Sequence, residues 1–379
     1  MGNAGRTAGR DSHDKRVMRH RWVLRHLFPL LAVVLLGVGL PSASASVSGS
    51  DPVAPAQPFS CSSDAGSTVR VAHAGSLANL VSGTLFPAFK ELCGASGTET
   101  SGPSVLLADE IKNGAVTADV FLSAGAGVNQ QLLGPRNGNW EQWFLVFARN
   151  EMVITYTPQS RFFPDLEKAR LGQLPWYQVL TEPGFVLGRS DPNQDPGGYY
   201  AVMVGQLAER YYGIPGLKQR LLGSDTNPAQ IVPGPAFTTT VNGAIPDARF
   251  GYLSSALDQK QNYIVLPRQI NLGDPTESAL YAKASFTNTD GFTYRGGPIR
   301  FSATLLKNSA APQTALDFIR LLISEQGQAF ATSRDFLASP ILVGGDASAL
   351  PAELRPFVTG CFEATHCTIP DDQHVEGEQ

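Results

Sequence analysis

The chain has 379 residues, 42% hydrophobic and 16% charged, with 29 Lys and Arg against 33 Asp and Glu. That suits a well-packed globule with room for two domains. Seven of the basic and two of the acidic residues fall in the first 45 positions, leaving 22 against 31 and a net charge near −9, which disfavours nucleic acid and anionic membranes as partners.

The first element is a targeting segment. Arg16, Arg19, Arg21 and Arg25 precede an apolar run from Leu27 to Leu40, and Ala43-Ser44-Ala45 supplies a small-residue cleavage site. Residues 1–45 are therefore predicted to be a signal peptide. The run is shorter than the ~20 residues that span a bilayer, and it contains Pro29. No Cys follows it directly, so the exported protein is not expected to be a lipoprotein; Cys61 lies too far along. Residues 46–64, rich in Ser, Pro and Ala, read as a linker.

Four cysteines in an exported chain suggest two disulfides, with three possible pairings. Cys361 and Cys367 make the simplest local loop, which leaves Cys61 with Cys93. Metal binding is a weaker reading. Beyond the leader only His73, His366 and His374 remain, and there is no Cys-x-x-Cys pair.

Strand VRVAHAG opens the folded part and is followed by an amphipathic helix through Leu80, Leu85 and Phe89. A second strand-helix unit contains Ser123, and such alternation predicts an open α/β sheet. Residues 65–150 are assigned to lobe 1 and 151–294 to lobe 2. WFLVFARNEMVITYT, Trp143 to Thr157, is β-prone with a polar middle at Arg149-Asn150-Glu151, and is predicted to cross between lobes. Residues 295–350 return to lobe 1, with a closing helix from Thr314 to Ile323. The last segment, 351–379, holds the disulfide loop and a polar tail expected to be disordered after Pro370.

Three strand-to-helix turns carry the chemistry. In the stretch from Gly188 to Met203, Asp195 is placed to cap a helix that starts at Pro196, and Gly197 and Gly198 leave its first amides bare. A helix end of this kind is a ready anion site. In VRVAHAGSL, Gly75 ends a strand and Ser76 is placed to cap the next helix; in ADVFLSAG, Ser123 ends another strand. The three junctions predict one oxyanion pocket lined by helix ends.

HAGSL, ADVFLSA, FARNEMVITYT, GRSDPNQDPGGY and PIRFSATLLKNSAAPQTALDFIRLLISEQGQ occur in this order from about Val69 to Phe336. Together they resemble the molybdate/tungstate-binding proteins of ABC importers, especially the tungstate-binding branch. The resemblance implies a two-lobed periplasmic-binding-protein fold (type II), with the ligand in the interlobe cleft. It implies molybdate or tungstate as ligand, no cofactor, and an ABC permease with its ATPase as partners of a monomer. Gly75, Ser76, Ser123, Asp195, Pro196 and Gly197 match the family's binding words, and Tyr263 matches a cleft tyrosine.

The resemblance also marks a departure. The family's Phe-Glu-Tyr-x-Ser word, whose Glu joins an Asp in approaching the metal atom of the oxyanion, stands here as Phe250-Gly251-Tyr252-Leu253-Ser254. With that Glu replaced by Gly251, Asp195 acts as a cap alone, makes one contact to the Mo or W atom, or favours a protonated oxyanion. Tyr199 is read as core or cleft, Arg149 and Arg189 as surface residues ahead of a role in neutralising the anion, and His73 as a structural strand-end residue ahead of a ligand. No Gly-x-Ser-x-Gly, His-Glu-x-x-His or phosphate-loop word is present, so no enzyme is predicted. Other anions (sulfate, phosphate, an organic acid) on the same fold, or a surface sensor without a transporter, are the alternatives.

Overall fold

A computed structural model describes residues 59–232, 240 and 243–363. The predicted signal peptide, most of the predicted linker, Cys367 and the polar tail lie outside the described residues.

The chain builds two sheets in succession. β1 (Thr68–Ala74), β2 (Ser96–Gly102), β3 (Val120–Ser123) and β4 (Trp143–Asn150) belong to the first. β5 (Met152–Tyr156), β6 (Leu187–Gly188), β7 (Ala248–Tyr252) and β8 (Asn262–Val265) form the second. A hairpin of β9 (Ser285–Thr287) and β10 (Thr293–Arg295) follows. β11 (Ile299–Leu305), β12 (Leu342–Gly345) and β13 (Gly360–Cys361) return to the first sheet. Its seven strands run β13-β12-β4-β11-β3-β1-β2, and the four of the second run β6-β7-β5-β8.

β1 lies between β2 and β3 and is parallel to both. All three chains therefore leave the sheet on one edge, and the turns after Ala74, Gly102 and Ser123 are brought side by side. An open α/β sheet offers a ligand crevice at that carboxyl edge. The helical run over residues 75–93 packs back on the sheet through Leu80, Leu85 and Phe89, each at most 1% exposed. It contains one wider turn, Val81–Leu85, before the helix Phe86–Cys93. Cys61 and Cys93 are bridged, with Cα atoms 5.4 Å apart. Cys361 is disulfide-bonded as well, and the expected pair with Cys367 falls outside the described residues.

The crossing predicted at Arg149-Asn150-Glu151 is where β4 ends and β5 begins. The polar residues brace it. Arg149 donates to the carbonyls of Gly273 and Ala338, each at 2.8 Å. Asn150 donates to Ser254 at 2.7 Å, and Glu151 accepts from Asn271 at 2.9 Å. Arg149 is thus a brace at the crossing and not a free surface cation.

The predicted closing helix forms as Pro312–Ile323, with Pro at its first turn and Phe318, Leu321 and Leu322 fully buried. It does not continue through LLISEQGQ. Ser324 turns extended and caps a second helix, Glu325–Ser333, by accepting the Gly327 N–H. Nor does it close the chain, since β12 and β13 follow. Among residues expected to be linker, Ser62 and Ser63 donate backbone N–H bonds to buried Asp317, tying 59–64 to this helix.

Candidate anion-binding cleft

The two lobes face each other across a cavity of about 540 Å³, within the usual range for small-molecule sites. The first lobe contributes Gly75 and Ser76 after β1, Ser101 to Pro103 at the end of β2, and Ala124 after β3. The second contributes the Ser190 to Gly197 turn and residues of β5 and β7.

Asp195 caps the helix Pro196–Tyr212 as the sequence predicts: its Oδ1 accepts the Gly197 N–H at 2.9 Å. Pro196 occupies the first helical position and is buried beside Gly125, outside the cavity wall. Gly197 lies in the wall. Gly198 is required by packing, because a Cβ there would sit 2.5 Å from the Ser190 carbonyl oxygen. The turn is also fastened to the opposite lobe. The Gln194 carbonyl accepts the N–H groups of Val105 and Leu106, at 3.0 and 3.2 Å, from the first turn of the helix Ser104–Asn113.

Ser76 does not cap a helix. It lies inside a short helical turn, Gly75–Leu77, that makes no side-chain cap bond. Its hydroxyl is buried in the wall without a hydrogen-bond partner, and so is the Tyr252 hydroxyl. Buried polar atoms are nearly always paired, so two orphaned hydroxyls in one cavity wall mark where ligand acceptors would sit.

Ser123 is elsewhere. It is fully buried as the last residue of β3, donates to the Gly125 carbonyl at 2.9 Å and accepts the Gly125 N–H. The cleft begins one residue later, at Ala124. The third turn that does reach the cleft is Ser101-Gly102-Pro103, which the sequence reading passed over. Its signal was of the same kind: Ser and Gly at a strand end, followed by the apolar-periodic run SVLLADEI.

On the second sheet, pairing places Thr155 opposite both Arg249 and Tyr263, and Val153 opposite Gly251. Directly paired residues share a face, so Thr155, Arg249, Gly251 and Tyr263 are on one side. The first three line the cavity; Tyr263, half-buried near the end of the sheet, does not. Arg249 is 2% exposed and was not anticipated. Burial lowers its guanidinium to about 10, with Asp195 opposing the fall, so it stays charged at neutral pH. Burial raises the Asp195 carboxyl, against the pull of the Gly197 N–H, the Ser190 hydroxyl and Arg249. Among the described residues the only other full charge in the wall is Asp191.

The remaining candidates are structural. Arg189 is not at the surface: it is fully buried and donates to Gln230 and to the carbonyls of Ser224 and Asp225. His73 is fully buried between the Ala74 carbonyl and Glu99, as a strand-end residue should be. Tyr199 is core, stacked on Tyr294 with ring centroids 4.3 Å apart. Among the described residues no group of three or more His, Cys, Asp or Glu is arranged to hold a metal ion, and no helix is long and apolar enough to cross a membrane.

Comparison with known proteins shows the family. Residues 69–336 match the family described as bacterial extracellular solute-binding protein. The molybdate/tungstate-binding protein WtpA of Thermococcus kodakarensis is 31% identical over 320 residues, 77% of this chain and 87% of the relative. WtpA of Pyrococcus abyssi is 32% identical over 265 residues, 64% and 74% respectively. Among solved structures, the sulfate-binding protein SubI of Mycobacterium tuberculosis H37Rv aligns with a TM-score of 0.50 at 11% identity, covering 78% of this chain and 92% of that one. At that identity the likeness speaks for the fold alone.

Proposed function

The chain belongs to the bacterial extracellular solute-binding family, and from that premise we propose that it captures a tetrahedral oxyanion of the molybdate or tungstate class in the interlobe cleft. The observation that carries this is the pair of orphaned hydroxyls, Ser76 and Tyr252, in a wall that also holds Gly197 at a helix start and buried Arg249. A tetrahedral anion has four acceptor oxygens and needs donors converging from several directions, which hydroxyls, backbone amides and one guanidinium supply. Asp195 serves as the helix cap, and the ligand stays tetrahedral, because Gly251 offers no second carboxylate.

The mature protein is exported, starts near Ser46, is not lipid-anchored, and works as a monomer handing its ligand to an ABC permease and ATPase. Two measurements test this. Mass spectrometry of the native protein should give a start near Ser46 and the loss of four thiol hydrogens. Calorimetric titration of the mature chain with molybdate, tungstate, sulfate and phosphate should show one site, with molybdate and tungstate bound alike and sulfate far more weakly. A preference for sulfate, phosphate or an organic acid transfers the cleft to that ligand.

A further inference from the structure

The donors in the cleft differ in kind. Ser76, Ser101, Tyr252 and the glycine turns offer dipoles without net charge. A neutral set reads size and direction but responds little to whether a tetrahedral anion carries one charge or two. Among the described residues the full charges in the wall are Arg249, Asp195 and Asp191. Two of these repel any anion, which leaves one cation to offset the charge.

Arg249 is built into that position. It sits on β7, an inner strand of the second sheet, with its stem against Gly188: its Cγ lies 3.0 Å from where a Gly188 side chain would begin. Thr155 and Gly251, on its face of the sheet, line the cavity with it, as do Phe250 and Tyr252 farther along the same strand. Asp195, on the facing turn, is the ionisable group in the wall that acts on it. A guanidinium keeps its charge even when buried, so this cation does not fade across the physiological range.

Resting on the oxyanion reading above, we infer that Arg249 is the charge-selecting residue of the cleft, the group that makes the site prefer a doubly charged tetrahedral oxyanion to a singly charged one of the same size. The hydroxyl and amide donors fix shape; Arg249 fixes charge.

Tungstate and perrhenate separate the two functions, since they are tetrahedra of nearly equal size that differ by one unit of charge. Calorimetry of the full mature chain with each anion is expected to show tungstate bound at least about a hundredfold more tightly, a difference of the order that one buried, charge-assisted partner supplies. Arg249→Met should weaken tungstate by about a hundredfold and perrhenate by less than about tenfold, collapsing the preference. Arg249→Lys keeps the charge and should keep tungstate ahead of perrhenate. It also decides the matter if the Met variant fails to fold, as judged by its thermal transition. Equal weakening of both anions by Arg249→Met, or loss of the preference in a folded Arg249→Lys, overturns the inference and leaves the oxyanion reading standing. A wild-type protein that binds neither anion overturns both.

Discussion

The two walls of the cleft solve different problems. The wall from the first lobe contains no charged side chain: Gly75, Ser76, Ser101, Gly102, Pro103 and Ala124 are small, and they sit where β1, β2 and β3 leave one edge of a sheet. The wall from the second lobe holds all three charges, Asp191, Asp195 and Arg249. A strand-end edge presents backbone and short hydroxyls almost as a by-product of its topology. A charge has to be placed, and the second lobe places it on a central strand and at a helix cap. Shape reading and charge reading are thus assigned to separate halves of the molecule.

The strongest way to break this division is to add charge to the charged wall. Among the described residues a Cβ at Gly251 would meet only Thr155, at 3.5 Å from Cγ2, so a side chain fits there in the cavity wall. Gly251→Glu should weaken both molybdate and tungstate by on the order of a hundredfold, because the new carboxylate adds to Asp191 and Asp195 against the single guanidinium. Calorimetry checks it. Tungstate binding that tightens instead would show Asp195 and the new Glu acting jointly on the metal atom, and would end the view of Asp195 as a cap.

The neutral wall rests on a charged foot at the far edge of its sheet, and acid should reveal it. Buried Asp119 accepts from Arg70, Ser309 and the Ala310 N–H. Burial pushes its carboxyl up, but Arg70 and the other donors prevail and hold it at about 2. A carboxyl depressed in the folded state stabilises above its ordinary range near 4 and loses that contribution as pH falls through 2. It is worth about 2 kcal/mol at neutral pH. Asp119→Asn should be less stable than wild type in urea at pH 7, with the gap closing toward pH 2.

Two serines sharpen the comparison further. Ser76→Ala removes an unpaired buried hydroxyl, so molybdate affinity should drop about tenfold while thermal stability holds or rises slightly. Ser123→Ala should do the reverse: affinity within about threefold of wild type, and a stability loss of about 1 kcal/mol from the broken turn bonds to Gly125. Matching affinity losses in both variants would mean that the wall extends past Ala124.

Much of this was legible beforehand, for reasons that can be named. The crossing at Glu151 showed itself as a polar break in a long apolar run, and the Asp195 cap as a strong local signal that needs no tertiary context. Gly75 and Ser76 were readable because a strand plainly ended there. Ser123 ends its strand as read, but its hydroxyl is taken up by the Gly125 turn and the cleft begins at Ala124, which residue type alone does not reveal. Ser101 was missed because β2 is polar and largely exposed, an edge strand without an apolar pattern. Arg249 was hidden for a different reason. Alternation in ARFGY puts Arg249 and Gly251 on one face, but only the tertiary fold, which sets them with Thr155 in the cavity wall, brings them to the cleft.

The bond between Gln194 and the helix start at Val105 and Leu106 uses main-chain atoms alone. At about 1 kcal/mol for each of its two hydrogen bonds, it prolongs the contact between the lobes roughly thirtyfold. Mutation of the side chains at 194, 105 or 106 leaves it in place, proline at either amide position excepted. This tether is therefore buffered against genetic drift: residues around the rim can vary and retune what enters, while the clasp that joins the two halves persists under almost any spelling.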